Sequence, residues 1–380
     1  LGMHALIAEV RNTLQVRRAQ VAQISRKKTL ATLALRKRMT ILATPHTMYV
    51  AYMLNYMLSE VGFQVSVITS PPSMGYGKDV YIVICPQMFS RLPKNVISFQ
   101  MEQSTSSRWF TQSYLRKLRN SLAILDYSRA NIGFIEQQGI SYRNIFYMPI
   151  MQIPNYLDFL AMKGLHFDAG GEKTYEVLFY GDINNERRRI ILGELGKRFD
   201  VKIVGDLFGQ ELYECLLKAR VVVNIHYYEN ALLETTRICE CLSLGIPVVS
   251  ESSLDRTEYP ELESQVRFVE MGDVAGMIRA IEDVLNAKDV APRAKALTYR
   301  YGDVRDGAQS FYLARFLLAY GLIGLDTFSR AYSFPPEFSS GKICLSLPET
   351  VVRRASFLSR GLTAFEIFDG LRHAQSWIGC

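Results

Sequence analysis

Apolar residues recur along the middle of the chain in short unbroken runs rich in valine and isoleucine, alternating with stretches whose apolar positions repeat at helical spacing. "MTILATP" (39–45) reads as a strand and "MYVAYMLNYMLSEVG" (48–62) as a helix. The strands "FQVSVIT", "DVYIVICP" and "NVISFQME" follow, then a helix near 109–120, the strand "SLAILDYS", the helix "RANIGFIEQQG" and the strand "NIFYMPI". Continuous apolar strands separated by helices predict a parallel sheet covered on both faces.

Residues 151–173, with Pro154 early and "DAGGEK" late, break the rhythm and read as a hinge. The pattern then restarts. Strands "YEVLFYG", "DVKIVG", "RVVVNIH", "IPVVSE" and "VRFVE" are interleaved with predicted helices over 185–199, 209–219, 231–244 and 273–287. The expected fold is α/β, with two Rossmann-like doubly wound parallel-sheet domains facing across a cleft. The domains are placed at 39–165 and 174–305, with a basic helical arm over 1–38, a bracing helix within 306–333 and an extension over 341–380. Ligands of such sheets bind beyond the carboxyl ends of the strands, so the residues just after each strand are the candidates.

The chain has 380 residues, 48% hydrophobic and 21% charged, which excludes general disorder and suits two cores of ordinary size. The balance of +7 favours anionic partners such as nucleotide phosphates, lipid pyrophosphates or a membrane surface, and nucleic acid is not expected. The six cysteines form no C-x-x-C pair and read as reduced thiols of a cytoplasmic protein. No charge-free apolar run is long enough to cross a bilayer. The basic stretch 8–38 carries leucines and valines at helical spacing; it reads either as a solvated helix with a packed stripe or as an arm lying peripherally on anionic lipid at the inner face of the membrane. "SFYLARFLLAYGLIGL" (310–325) reads as a core helix bracing the domains, with interfacial membrane attachment as the alternative.

Polar chemistry concentrates at strand ends. A helix expected to begin near Ala231 points the N–H groups of residues 231–234 into the cleft as an anion site. Thr235, Thr236 and Arg237 add hydroxyls and a charge to it, and the Glu240 carboxylate can accept two hydroxyl hydrogen bonds, which is what a ribose offers. In "FYGDINNERRR" a strand ends at Gly181 and Arg187, Arg188 and Arg189 crowd the next helix start, a placement that suits a pyrophosphate, with a solvated basic face as the alternative. In the first domain, His46 is a candidate to bind or deprotonate an acceptor hydroxyl, with a structural role as its alternative. Glu102, Gln103 and Asp126 are candidates for acceptor sugar hydroxyls, with simple capping as theirs. No D-x-D or His and carboxylate cluster appears, so no metal and no cofactor is predicted.

"ECLSLGIPVVS" (240–250) resembles the E-A-x-A-x-G-x-P-V-V signature of GT-B glycosyltransferases, especially retaining family 4, and the resemblance covers roughly residues 39–330. It implies that Glu240 holds the ribose of a nucleotide sugar. The family's E-x7-E pair would fall at Leu232, which is flanked by Glu229 and Glu234, so either glutamate is the candidate to contact the sugar. Arg188 matches the cation that neutralises the leaving diphosphate, although the arginine often found after the strand-end glycine is Asp182 here. Gly205 and Leu207, after the strand in "IVGDLFGQEL", are implied neighbours of the base. The implied activity is metal-independent, retaining transfer from a UDP or dTDP sugar to a glycan or lipid-linked saccharide in surface polysaccharide synthesis. A non-hydrolysing sugar-nucleotide epimerase, with Glu102 and Asp126 as its carboxylates, and a non-catalytic binding module are the alternatives. The tail, with "RR", "FDG" and "GC", resembles the opening of family 25 glycosyltransferases; otherwise it is an extension packed on the second domain.

Overall fold

A computed structural model describes residues 28–105, 108–140, 144–168, 170–287 and 308–324. The C-terminal extension and most of the basic arm therefore lie outside the described residues, as do Cys344 and Cys380. Of the arm, residues 28–38 are described: a helix, α1, occupies 28–36, and Arg38 already belongs to the first strand.

The first sheet is built from β1 (Arg38–Leu42), β2 (Gln64–Ile68), β3 (Tyr81–Ile84), β4 (Val96–Gln100), β5 (Ala123–Asp126) and β6 (Ile145–Tyr147), all parallel, in the order β2-β1-β3-β4-β5-β6. The three central strands β3, β4 and β5 are buried at every position, and the edge strand β2 alternates between exposed and half-buried positions. Continuous apolar runs therefore sit where both faces are covered. Helix α2 (Met48–Glu60) presents Tyr49, Val50, Met53, Leu54, Met57 and Leu58 as one buried stripe. It stops where Gly62 takes φ +84, a left-handed geometry that a side chain at that position would strain. Helices α3 (Gln112–Arg119) and α4 (Arg129–Gln137) complete the layer around β5, their first turns capped by the Thr111 and Ser128 hydroxyls.

The second sheet comprises β7 (Tyr175–Tyr180), β8 (Val201–Val204), β9 (Ala219–Asn224), β10 (Val248–Glu251) and β11 (Val266–Val269), parallel throughout, in the order β11-β10-β9-β7-β8. Helices α6 (Glu186–Gly196) and α9 (Val274–Asn286) cover one face, with Leu195, Ile281 and Val223 in their core. Helices α7 (Gly209–Leu217) and α8 (Thr235–Ser243) cover the other and continue into the core of the first domain. Counted from its own first strand, the first sheet has the order 2-1-3-4-5-6 and the second 2-1-3-4-5. Each consequently has a crevice where the winding reverses, between β1 and β3 and between β7 and β9.

The expected hinge contains a helix, α5 (Tyr156–Met162). It docks on α2: Tyr156 meets Tyr49 edge-on at 5.5 Å, and Phe159 meets Tyr52 at 5.8 Å. Helix α10 (Ala308–Ala319) returns to the first domain, where Phe316 and Tyr320 pack on Phe146 of β6 and the Tyr320 hydroxyl donates to Leu122 O at 2.8 Å. Direct hydrogen bonds also join the domains. Ser243 of α8 receives the Ile153 N–H at 2.9 Å and lies 2.8 Å from the Tyr49 hydroxyl. Among the described residues no helix is long and apolar enough to cross a membrane, and Cys85, Cys215, Cys239 and Cys241 are free thiols.

Candidate functional site

A cavity of about 290 Å³ lies where the carboxyl ends of the two sheets face each other. The first domain contributes Pro45, His46 and Met48 from the segment after β1, Met101 and Gln103 after β4, and Tyr127 after β5. From the second come Tyr180 and Gly181 at the end of β7, then Gly205, Leu207 and Phe208 after β8. Glu234, Thr235, Thr236, Arg237 and Glu240 close the wall from the start of α8.

The start of α8 differs from the sequence expectation. The helix begins at Thr235, four residues later than Ala231, and residues 231–233 form a buried segment without regular secondary structure instead. Their N–H groups are already taken: Ala231 donates to Tyr228 O, Leu232 to Gln103 Oε1 at 2.9 Å and Leu233 to Asp255 Oδ1 at 2.9 Å. The helix end that a ligand anion could meet is thus the turn 235–237. There the Thr236 and Arg237 N–H groups fall where helix geometry supplies no carbonyl partner. Two side-chain atoms on this wall, Thr235 Oγ1 and Arg237 Nε, are buried without a hydrogen-bond partner. Leaving such a donor or acceptor unmet costs about 1–3 kcal/mol, so a ligand oxygen that reaches it is favoured.

Charge in the site centres on Glu234. Its carboxylate lies between Arg237 and Arg188, with the Arg188 contact at 3.1 Å and His226 Nδ1 at 3.7 Å. Burial alone would raise the Glu234 pKa, but Arg237, His226 and Arg188 outweigh it and hold the carboxyl well below its ordinary range. Arg237 also bonds Asn224 Oδ1 and stacks its guanidinium 5.1 Å from the Tyr180 ring. Gly181 makes that position available: its φ is +133, and a Cβ there would stand 2.9 Å from Arg237 Nη2.

Arg188 does not occupy the expected place. It is 3% exposed and absent from the cavity wall; its Nε donates to Ile225 O, Nη1 to Asp182 O and Nη2 to Glu234. Burial lowers its pKa to about 10, which leaves it charged at neutral pH. The guanidinium therefore acts on the cavity through Glu234. Of the two glutamates that flank Leu232, Glu234 lines the cavity, while Glu229 is exposed in the loop after β9 and is not brought to it.

Glu240 reaches the wall from the second turn of α8 and is 8% exposed. Tyr180 donates to its Oε2 at 2.7 Å and Tyr213 to its Oε1 at 3.0 Å. Burial raises its pKa, and the two phenols oppose that rise. One lone pair remains on each oxygen. Gly205 and Leu207 line the cavity beside Phe208, whose ring faces His46 across the mouth at 6.2 Å. His46 is exposed on its outer edge and desolvated on the cleft side, which lowers its pKa.

The first-domain carboxylates depart from their expected role. Asp126 is completely buried and accepts from Gln100 Nε2 at 2.7 Å, Ser128 N at 2.9 Å and Asn131 Nδ2 at 3.2 Å, so it ties β4 to the start of α4 and meets no acceptor. Glu102 accepts from Gln87 Nε2 at 2.7 Å and is not on the cavity wall. Gln103 is on the wall, but its amide clips the domains together, accepting from Leu232 N–H and donating to Leu232 O at 3.2 Å. Tyr180 and Tyr213 were missed by sequence reading, although Tyr180 is the last residue of a strand and so stands in a position that signals a site. Among the described residues no group of three or more His, Cys, Asp and Glu is placed to hold a metal ion.

A scan against protein-family models and a search of curated proteins find no match to this chain. Solved structures do align. Sucrose-phosphate synthase from Thermosynechococcus elongatus aligns at 13% identity and a TM-score of 0.39, covering 65% of this chain and 89% of that one. T4 phage BGT in complex with UDP and Mn2+ aligns at 12% identity and 0.41, covering 65% and 89%. A putative UDP-N-acetylglucosamine 2-epimerase from Listeria monocytogenes aligns at 11% identity and 0.35, covering 78% and 97%. At these values none of them decides an activity for this chain.

Proposed function

We propose that this chain is a glycosyltransferase that takes a sugar from a nucleoside diphosphate sugar, a UDP or dTDP sugar, and passes it to a glycan or lipid-linked acceptor. The observation that carries the reading is the turn 234–240, where Arg237, the Thr235 hydroxyl and first-turn N–H groups converge on one cavity wall beside the phenol-held Glu240. Breaking a bond from sugar to phosphate develops negative charge on the departing diphosphate. Preorganised donors and a fixed guanidinium in a partly dry cleft stabilise that charge without reorganising. Glu240 receives the ribose hydroxyls, Glu234 faces the donor sugar, and His46 on the opposite wall meets the acceptor. Retention of configuration, independence of metal, surface polysaccharide synthesis at the cytoplasmic face of the membrane and membrane contact through the basic arm come from the resemblance in "ECLSLGIPVVS" and from composition. The epimerase alternative asks for carboxylates in the first-domain cleft. It is disfavoured because Asp126 is sealed in the core and Glu102 is off the wall.

A thermal-shift panel of nucleoside diphosphates and their sugars tests the reading. A ligand at a hundred times its dissociation constant stabilises by about 2.7 kcal/mol, which raises the melting temperature by a few degrees. A shift with UDP or dTDP, followed by donor turnover that requires an acceptor, is the expected result. Turnover to an epimeric donor without acceptor would replace it with the epimerase reading.

A further inference from the structure

The buried phenol of Tyr213 joins the candidate ribose carboxylate to the other domain. Its hydroxyl has a single proton, and that proton points to Glu240 Oε1 at 3.0 Å. The Tyr213 hydroxyl oxygen itself lies 2.7 Å from the hydroxyl of Tyr156, which leaves Tyr156 as the donor of that second bond. The order of donation is therefore Tyr156 to Tyr213 to Glu240. Tyr156 belongs to α5, seated on α2 of the first domain, while Tyr213 and Glu240 belong to α7 and α8 of the second. All three side chains are at least nine-tenths buried, and Tyr213 is fixed by edge contacts with Tyr156 at 5.9 Å and Phe167 at 5.8 Å. On the opposite side Tyr180 takes Glu240 Oε2, so the carboxylate, which lines the cavity, is held from both flanks.

We infer that Tyr213 is a positioning residue that makes the site select a ribonucleotide over its 2′-deoxy counterpart, and that Tyr156 makes this selection depend on domain docking. The inference rests on the proposed nucleotide site and narrows its donor class: a vicinal diol accepts the two-pronged carboxylate, and a 2′-deoxyribose leaves one prong unmet. A UDP-type ribonucleotide is thereby favoured over dTDP. A carboxylate that loses one of its two flanking phenols turns, and the loss falls on the diol contact alone, because Arg237 and Thr235 grip phosphate at the other end of the α8 turn.

Titration calorimetry with UDP, 2′-deoxy-UDP and inorganic pyrophosphate tests this on the full chain. The wild-type protein is expected to prefer UDP over 2′-deoxy-UDP by about tenfold or more, the scale set by a hydrogen bond to a charged acceptor. Tyr213→Phe is expected to abolish that preference while pyrophosphate affinity stays unchanged, a pattern that general loosening of the fold does not produce. Tyr156→Phe, which leaves Tyr213 in place, is expected to lower the preference about twofold to fivefold. If Tyr213→Phe does not fold, this second variant decides. Unchanged preference in the soluble variants overturns the relay while leaving the nucleotide site standing. A wild-type protein that binds UDP without preferring it over 2′-deoxy-UDP overturns the selectivity, and one that binds none of the three ligands overturns the site itself and the relay with it.

Discussion

Arg188 donates to Glu234 Oε1 at 3.1 Å and in doing so turns away from the cavity it was expected to serve. Its other two donor groups are spent on backbone carbonyls of Ile225 and Asp182. The arginine is therefore part of the scaffold that fixes the loop after β9, and the guanidinium on the cavity wall is that of Arg237. Arg188→Ala is expected to destabilise the protein by about 3–5 kcal/mol, because it leaves a largely buried carboxylate short of one cation. Adding Glu234→Gln is expected to recover part of that loss, which chemical denaturation of the single and double variants measures.

Glu234→Gln alone separates binding from chemistry. It releases the two arginines from their internal anion, so UDP affinity is expected to hold or rise. Sugar transfer is expected to fall at least about tenfold if the carboxylate faces the reacting sugar. Steady-state kinetics that showed both quantities unchanged would remove Glu234 from the site.

Gly181→Ala probes the space beside Arg237. The backbone at φ +133 resists a side chain, and the new Cβ would push on a guanidinium already pinned by Glu234 and Asn224. A stability loss of about 1–3 kcal/mol is expected, with weaker pyrophosphate binding. Retained melting temperature together with retained affinity would show that the strand end tolerates the methyl group.

Asp126 gives the protein a pH signature of its own. Burial raises its pKa from the ordinary carboxylate range to about 7. The folded state therefore holds the proton more tightly than the unfolded one. The contribution of this group is fully present below about pH 4, the unfolded value, and is lost as pH rises toward 7. Asp126→Asn is expected to flatten that part of the stability profile between pH 4 and 8 while leaving UDP affinity within a factor of about two, since the residue is off the cavity wall. Denaturation curves across that range check the slope.

The alternation of apolar strands and amphipathic helices was enough to expect both sheets, because β3, β4, β5 and β10 are buried on both faces and their sequences show it. What the sequence misled on is the segment 231–233. "ALLE" has the apolar content of a helix, yet the N–H groups of Leu232 and Leu233 are taken by Gln103, 129 residues from Leu232, and by Asp255. No local pattern records such partners. For the same reason Asp126 and Gln103 looked available: a polar residue after a strand reads alike whether it faces a cleft or satisfies a neighbouring backbone. The placement of Thr235, Arg237 and Glu240 on the cavity wall was legible because they follow a strand end at or just inside a helix start, whereas Gly205 and Leu207, also on the wall, came only from the family resemblance. Tyr180 and Tyr213 were not, since a tyrosine in an apolar element reads as core until the carboxylate it holds is in view.

Titration of UDP into the wild-type protein, Arg237→Ala and Glu240→Ala tests the central claim most directly. One bound nucleotide per chain in the wild type, with affinity about tenfold or more weaker in each variant, is the expected result. Equal affinity in all three, or no binding to the wild type, would contradict the assignment of the α8 turn as a nucleotide site.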